Sequence, residues 1–179
     1  MIVKYNYFFL NGIGFVYIVA FGQVEKRLLL AVASSIKRNF SVDVRHSSVV
    51  TLPPVKYSLH REECPVSLFL DYMEGLHFPN MLRIVGLVDV CLRDEERTIW
   101  GKGVTGGRSV VVSVPLLKTY DEKVFFERVC KESVRQLGMS FGLPPCEKKN
   151  CVMYVPSSLQ ELDQQGTDLC PLCKERWVN

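Results

Sequence analysis

Four cysteines near the C-terminal end of the chain carry its strongest chemical signal. Cys146 and Cys151 form a C-x4-C pair, and Cys170 and Cys173 form a C-x2-C pair. Two such pairs, each on its own turn, can close a tetrahedral thiolate site for zinc. Just upstream lies a second place where chemistry could be arranged. Arg135 and Met139 are four residues apart on an expected helix and share a face, the geometry with which H-x-x-x-H holds one metal. These residue types do not suit that task. A guanidinium cannot bind zinc at neutral pH, and its fixed charge repels the ion. A thioether is a poor ligand for Zn(II), and Pro145, further on, has no ligating side chain. The histidines are His46, His60 and His77, all far upstream and read as surface or loop residues. No G-x-S-x-G occurs, and the glycines at 101–107 lack the spacing of a P-loop.

The stretch from about 121 to 176 resembles the archaemetzincins, a family of zinc-dependent peptidases in the metzincin clan. Their motif, H-E-x-x-H-x-x-G-x-x-H, is followed by a cysteine, a second cysteine, a Met-turn and a closing C-x2-C. Gly138, Gly142, Leu143, Cys146, Cys151, Met153, Cys170 and Cys173 stand in the matching places. Ser157, Ser158 and Asp163 fit the pattern after the Met-turn, and residues 13 to 120 are compatible with the family. The departures fall on the chemistry. Arg135, Met139 and Pro145 stand where the zinc-binding histidines would be, and Gln136 stands where the general-base glutamate would be. The resemblance therefore implies a metzincin-like protein without its catalytic zinc. It implies one structural zinc on Cys146, Cys151, Cys170 and Cys173, a Met-turn at Met153, and no catalytic residue.

Those residues must be positioned by an α/β domain with a mixed, twisted sheet. Phe15 to Val19 reads as a strand. Val24 to Asn39 reads as a helix, with Leu28, Ala31, Val32 and Ser35 on one face. Ser41 to Val44 is a short β-branched strand, and Val49 to Tyr57 with its Pro-Pro is a loop. Cys64 to Gly75 is a second helix, with Pro65 in its first turn. Leu82 to Leu92 is apolar enough for a central strand. Arg93 to Gly107 reads as a charged, glycine-rich loop. Ser109 to Val114 is a strand ended by Pro115. In the metzincin clan such a strand lies at the sheet edge and pairs with extended substrate, which makes Ser109, Val110, Val111, Val112, Ser113 and Val114 the candidate surface for a peptide or protein partner. Asp121 to Met139 is the long helix, turned at Gly142. On it, Glu132 reads as part of a solvated face, able to pair with Arg135 or a nearby cation.

Length and composition fit one domain: residues 13–179, with 1–12 as an N-terminal extension and 146–173 as the zinc-binding segment. The apolar stretch from Tyr7 to Phe21 is too short and too broken by Asn11, Gly12 and Gly14 to span a bilayer. A net charge of +3, with scattered basic residues, is too small to imply nucleic acid. Cys64, Cys91 and Cys130 read as free thiols, which fits a reducing cytoplasm better than secretion. No membrane association is expected, and a monomer is. Three readings follow. The favoured one is a noncatalytic homologue that binds a peptide or protein. The second is a working metallopeptidase with an unanticipated zinc site. The third is a nucleic-acid-binding zinc module, motivated by Lys148, Lys149, Lys174 and Arg176 around the cysteines.

Overall fold

A computed structural model describes residues 14–46 and 63–178. The expected extension, the Val49 to Tyr57 loop and His60 lie outside the described residues. The chain opens with strand β1 (Phe15–Phe21), helix α1 (Lys26–Phe40) and strand β2 (Asp43–His46). Strand β3 (Glu63–Pro65) leads directly into α2 (Val66–Glu74). Next come β4 (Met81–Val88), β5 (Cys91–Asp94), β6 (Arg97–Ile99), β7 (Gly101–Gly103) and β8 (Ser109–Ser113). The long helix α3 (Glu122–Ser140) follows, then the short α4 (Leu159–Gln164) and α5 (Pro171–Val178).

Five strands form one sheet in the order β2-β1-β4-β8-β7, and β3-β5-β6 form a second, smaller sheet. All pairings in the large sheet are parallel except β7 with β8. Parallel strands need crossovers, and these place helices on both faces. The side-chain alternation shows it. Val16, Ile18 and Ala20 join Val85, Leu87, Val110 and Val112 in a core completed by α1 and α3. Tyr17, Val19 and Phe21 join Ile84, Val88 and Val111 in a second core with Phe69 and Met73 of α2. A strand buried on both faces has no polar positions to spare, which is why these segments read as continuous apolar runs.

Helix α1 buries Leu28, Leu29, Val32, Ile36 and Phe40 along one stripe. It stops at Ser41, whose φ of 53° is left-handed and whose N–H returns to the carbonyl of Lys37. Helix α3 starts at Asp121, whose carboxylate accepts the Val124 N–H at 3.1 Å.

Three sequence expectations change. Pro65 is the last residue of β3 and the cap before α2, not part of its first turn. The stretch read as one strand to Leu92 breaks after Val88, and its remainder is β5. The stretch read as a loop carries β5, β6 and β7; its charges belong to the β5–β6 hairpin, which turns at Glu95 with φ 53°.

The largest correction concerns the edge. Ser109–Ser113 is an inner strand, buried at every position between β4 and β7, and Val114 leads into a 3-10 turn. The short β7 supplies the edge, because the chain after β6 folds back along β8.

Polar groups also join distant parts of the chain. Asn39 of α1, 5% exposed, donates to the carbonyls of Ser35 and Thr167 at 3.0 and 3.2 Å and accepts the Leu169 N–H at 2.8 Å. Asn39→Ala strands these buried groups without partners. It should lower stability by about 2–3 kcal/mol, measured by urea denaturation, and an unchanged midpoint would refute this account of Asn39.

Candidate metal centre and the helix beside it

Beyond α3 the chain makes a compact, mostly irregular segment that carries the cysteines. Gly142 turns it with φ 91°, and the Cys146 N–H bonds back to the carbonyl of Met153 at 3.0 Å. Gln165 pins the turn between them: its amide nitrogen reaches the carbonyls of Cys151, Val152 and Tyr154, each at 2.9 Å. Ser158 caps α4 by accepting the Glu161 N–H, and Ser157 donates to the Glu161 carboxylate. Both lie in the bend that leads into α4. Cys170 precedes α5 and Cys173 lies in its first turn.

These turns bring Cys146, Cys151, Cys170 and Cys173 together, with their sulfurs all within 4.8 Å of one another. A tetrahedral zinc tetrathiolate with bonds of about 2.3 Å requires sulfur–sulfur edges of about 3.8 Å. The Cys146 to Cys170 separation is 3.8 Å. The Cys170 N–H points at the Cys151 sulfur at 3.4 Å, the kind of donor that supports a thiolate. The protonation pattern also fits a cation. Burial opposes ionisation of Cys170, but the Cys173 backbone N–H and the neighbouring thiols outweigh it and bring Cys170 down to about 7. Burial, and then the crowding of the other sulfurs, push Cys173 up, and burial raises Cys151. A divalent ion would favour the thiolate form of the cluster. Among the described residues this is the only group of three or more His, Cys, Asp or Glu side chains that could hold a metal ion.

The substituted positions lie on α3 and just beyond it. Arg135 is buried and donates to Glu132 at 2.5 Å. Glu132 has no solvent exposure, which corrects its reading as part of a solvated face. Gln136 donates to the other Glu132 oxygen at 2.8 Å and to the Gly101 carbonyl at 3.0 Å, and accepts the Gly103 N–H at 2.8 Å. Met139 is half-buried against the core, whereas Pro145 is exposed. Met153 is fully buried in a turn under α3. A Cβ on Gly138 would fall 2.5 Å from the Met153 sulfur, so a larger residue there would make the Met153 side chain shift.

Sequence reasoning missed Gly101 and Gly103. A Cβ on Gly103 would lie 2.4 Å from the Gln136 carbonyl oxygen, and one on Gly101 would lie 2.8 Å from that of Val111. Alternating glycines just before a strand were the available signal of a close backbone approach.

Residues 56–178 match the model of peptidase family M54. The chain belongs to the archaemetzincin family. It is 35% identical over 125 residues to the archaemetzincin of Methanopyrus kandleri, covering 69% of this chain and 71% of that relative. The crystal structure of that relative superposes with a TM-score of 0.83, at 29% identity, over 93% of this chain and 94% of that one. The archaemetzincin of Halobacterium salinarum is 26% identical over 166 residues, covering 88% of this chain and 95% of that relative. The Archaeoglobus fulgidus archaemetzincin, solved with malonate, shares the fold at a TM-score of 0.77 and 24% identity, covering 90% of this chain and 99% of that one. Archaemetzincins are metallopeptidases, so the family implies zinc, and the four cysteines form a site that could hold it.

A charged fork joins the cysteine segment to α3. Arg128 donates through Nε and Nη2 to the two Asp163 oxygens at 2.6 and 2.7 Å. Lys131, buried, donates to the carbonyls of Leu162 and Asp163 at the end of α4. Hydrogen bonding to Arg128 holds the Asp163 carboxyl below its usual range. The stabilisation is therefore present at neutral pH and is lost as pH falls through that depressed value. Asp163→Asn should cost about 1–2 kcal/mol at pH 7, after allowance for the partly exposed carboxylate. The deficit relative to the wild type should shrink on acidification, followed by thermal unfolding across pH; a deficit constant with pH would exclude this role.

Proposed function

We propose that this chain is a noncatalytic archaemetzincin. On this reading one zinc on Cys146, Cys151, Cys170 and Cys173 is structural, Met153 keeps the place of a Met-turn, and the domain serves to bind a peptide or protein. The observation that carries it is the engagement of Arg135 and Gln136. The position of a first zinc ligand holds a guanidinium neutralised by buried Glu132. The position of the general base holds an amide whose oxygen and nitrogen are both bonded to backbone. The guanidinium has no lone pair for a cation and the amide has no basicity for a proton, whereas hydrolysis in this clan needs a water made acidic by zinc and deprotonated by a carboxylate.

Ser109–Ser113, expected from sequence to be the edge along which a partner would pair, is instead an inner strand paired with β7. Among the described residues no helix is long and apolar enough to cross a membrane. Among the described residues, the thiols of Cys64 and Cys130, outside the cluster, support a reducing, cytoplasmic setting.

Protein purified without added metal should carry one zinc per chain and cleave peptides no faster than buffer. Arg135→His alone should remain inactive, because three ligands and a base act together. Cys170→Ser should lose zinc and thermal stability. Chelator-sensitive cleavage by the wild type, abolished by Gln136→Ala, would replace this reading with that of an active peptidase using another zinc site.

A further inference from the structure

The edge of a sheet presents unpaired N–H and C=O groups, a template on which another extended chain can add. At β7 those groups are taken from within. In the antiparallel ladder with β8, the Ser113 N–H bonds to the Trp100 carbonyl at 2.8 Å, and Gly101, Lys102 and Gly103 stand opposite Val112, Val111 and Val110. Alternation then turns the backbone groups of Gly101 and Gly103 away from β8. Gln136 meets both. It donates to the Gly101 carbonyl at 3.0 Å and accepts the Gly103 N–H at 2.8 Å.

A residue of a parallel strand bonds in this way: its N–H goes to one residue, and its carbonyl accepts from the residue two further on. The Gln136 side chain reproduces that pair of bonds from a helix. Its two backbone partners also fix which end of the amide is oxygen. The contact continues along one face of α3. Glu132 receives the amide's second N–H, and the Ser140 carbonyl accepts the Gly106 N–H at 3.0 Å. The absence of side chains at Gly101 and Gly103 lets the strand lie this close to the helix.

We propose that Gln136 is an internal strand mimic that closes the outer edge of β7, so that an extended peptide can add to this sheet edge only by displacing it. This inference rests on the reading of position 136 as noncatalytic, and it assigns that position a different task. A glutamate could not perform it: a carboxylate accepts from Gly103 but cannot donate to Gly101, and it would face the Glu132 carboxylate where Gln136 now donates. Loss of the family's general base and closure of the edge are then one substitution.

The test is amide exchange, followed by NMR on the zinc-loaded, full-length chain and on its Gln136→Met and Gln136→Glu variants. Methionine keeps the size of glutamine and removes both bonds. The Gly103 amide should exchange at least about tenfold faster in Gln136→Met, the factor that two hydrogen bonds of ordinary strength supply, and less than that but faster than wild type in Gln136→Glu, which keeps an acceptor for the Gly103 N–H. Amides of β1 and β4 should keep their wild-type rates, and trypsin should cut faster after Lys102. A Gly103 amide indifferent to residue 136 overturns the proposal. So does uniform acceleration of every sheet amide, which would make Gln136 a support of the whole fold. Exchange needs no catalysis, so failure of the earlier reading registers separately, as peptide cleavage by the wild type.

Discussion

A carboxylate removed from water must find donors in the protein or give up its charge. Glu132 is such a group, fully buried in the middle of α3, and the residues around it are arranged to satisfy it. Arg135 supplies a countercharge one turn along, and Gln136 supplies an amide N–H to the other oxygen. Removing one partner from a buried ion pair of this kind typically costs about 3–5 kcal/mol, because the other charge is left uncompensated. Two of the four residues that depart from the family's motif thus satisfy a buried charge on a fifth. Gln136 then carries the arrangement outward to β7, and Gly138, two residues on, leaves room for Met153 on another side of the helix. Few positions on α3 are free to change alone.

The cysteine segment has two kinds of fastening. One is the sulfur cluster. The other is a set of polar contacts independent of any cation: Gln165 within the segment, the Arg128–Asp163 fork to α3, and the Trp177 ring nitrogen on the Phe40 carbonyl at 3.1 Å. Small zinc domains fold only around their ion. Here the segment is packed against a domain with a core of its own.

Much of this was legible in the sequence. The cysteine spacing identified the four residues that converge, and the glycine and cysteine pattern around α3 identified the family. Strands buried on both faces appeared as apolar runs. What stayed hidden was non-local. The short β7 contains two glycines and a lysine, and no propensity marks it as a strand; it exists because β8 and Gln136 supply its partners. The edge, taken from the resemblance to the metzincin clan, was placed at Ser109–Val114, whose β-branched run in fact records burial. Glu132 was placed toward solvent because charged residues are rarely buried. Its compensation by an amide on the same helix cannot be read from hydrophobic periodicity.

Asn39 has a consequence for how the chain is made. It sits near the end of the first helix, yet two of its three hydrogen bonds go to Thr167 and Leu169, and neighbouring Arg38 pairs with Asp168 at 2.7 Å. Synthesis runs from the N-terminus, so α1 and the parallel strands leave the ribosome long before these partners exist. The bonds that satisfy Asn39 can therefore form only after residues 167 to 169 have been made.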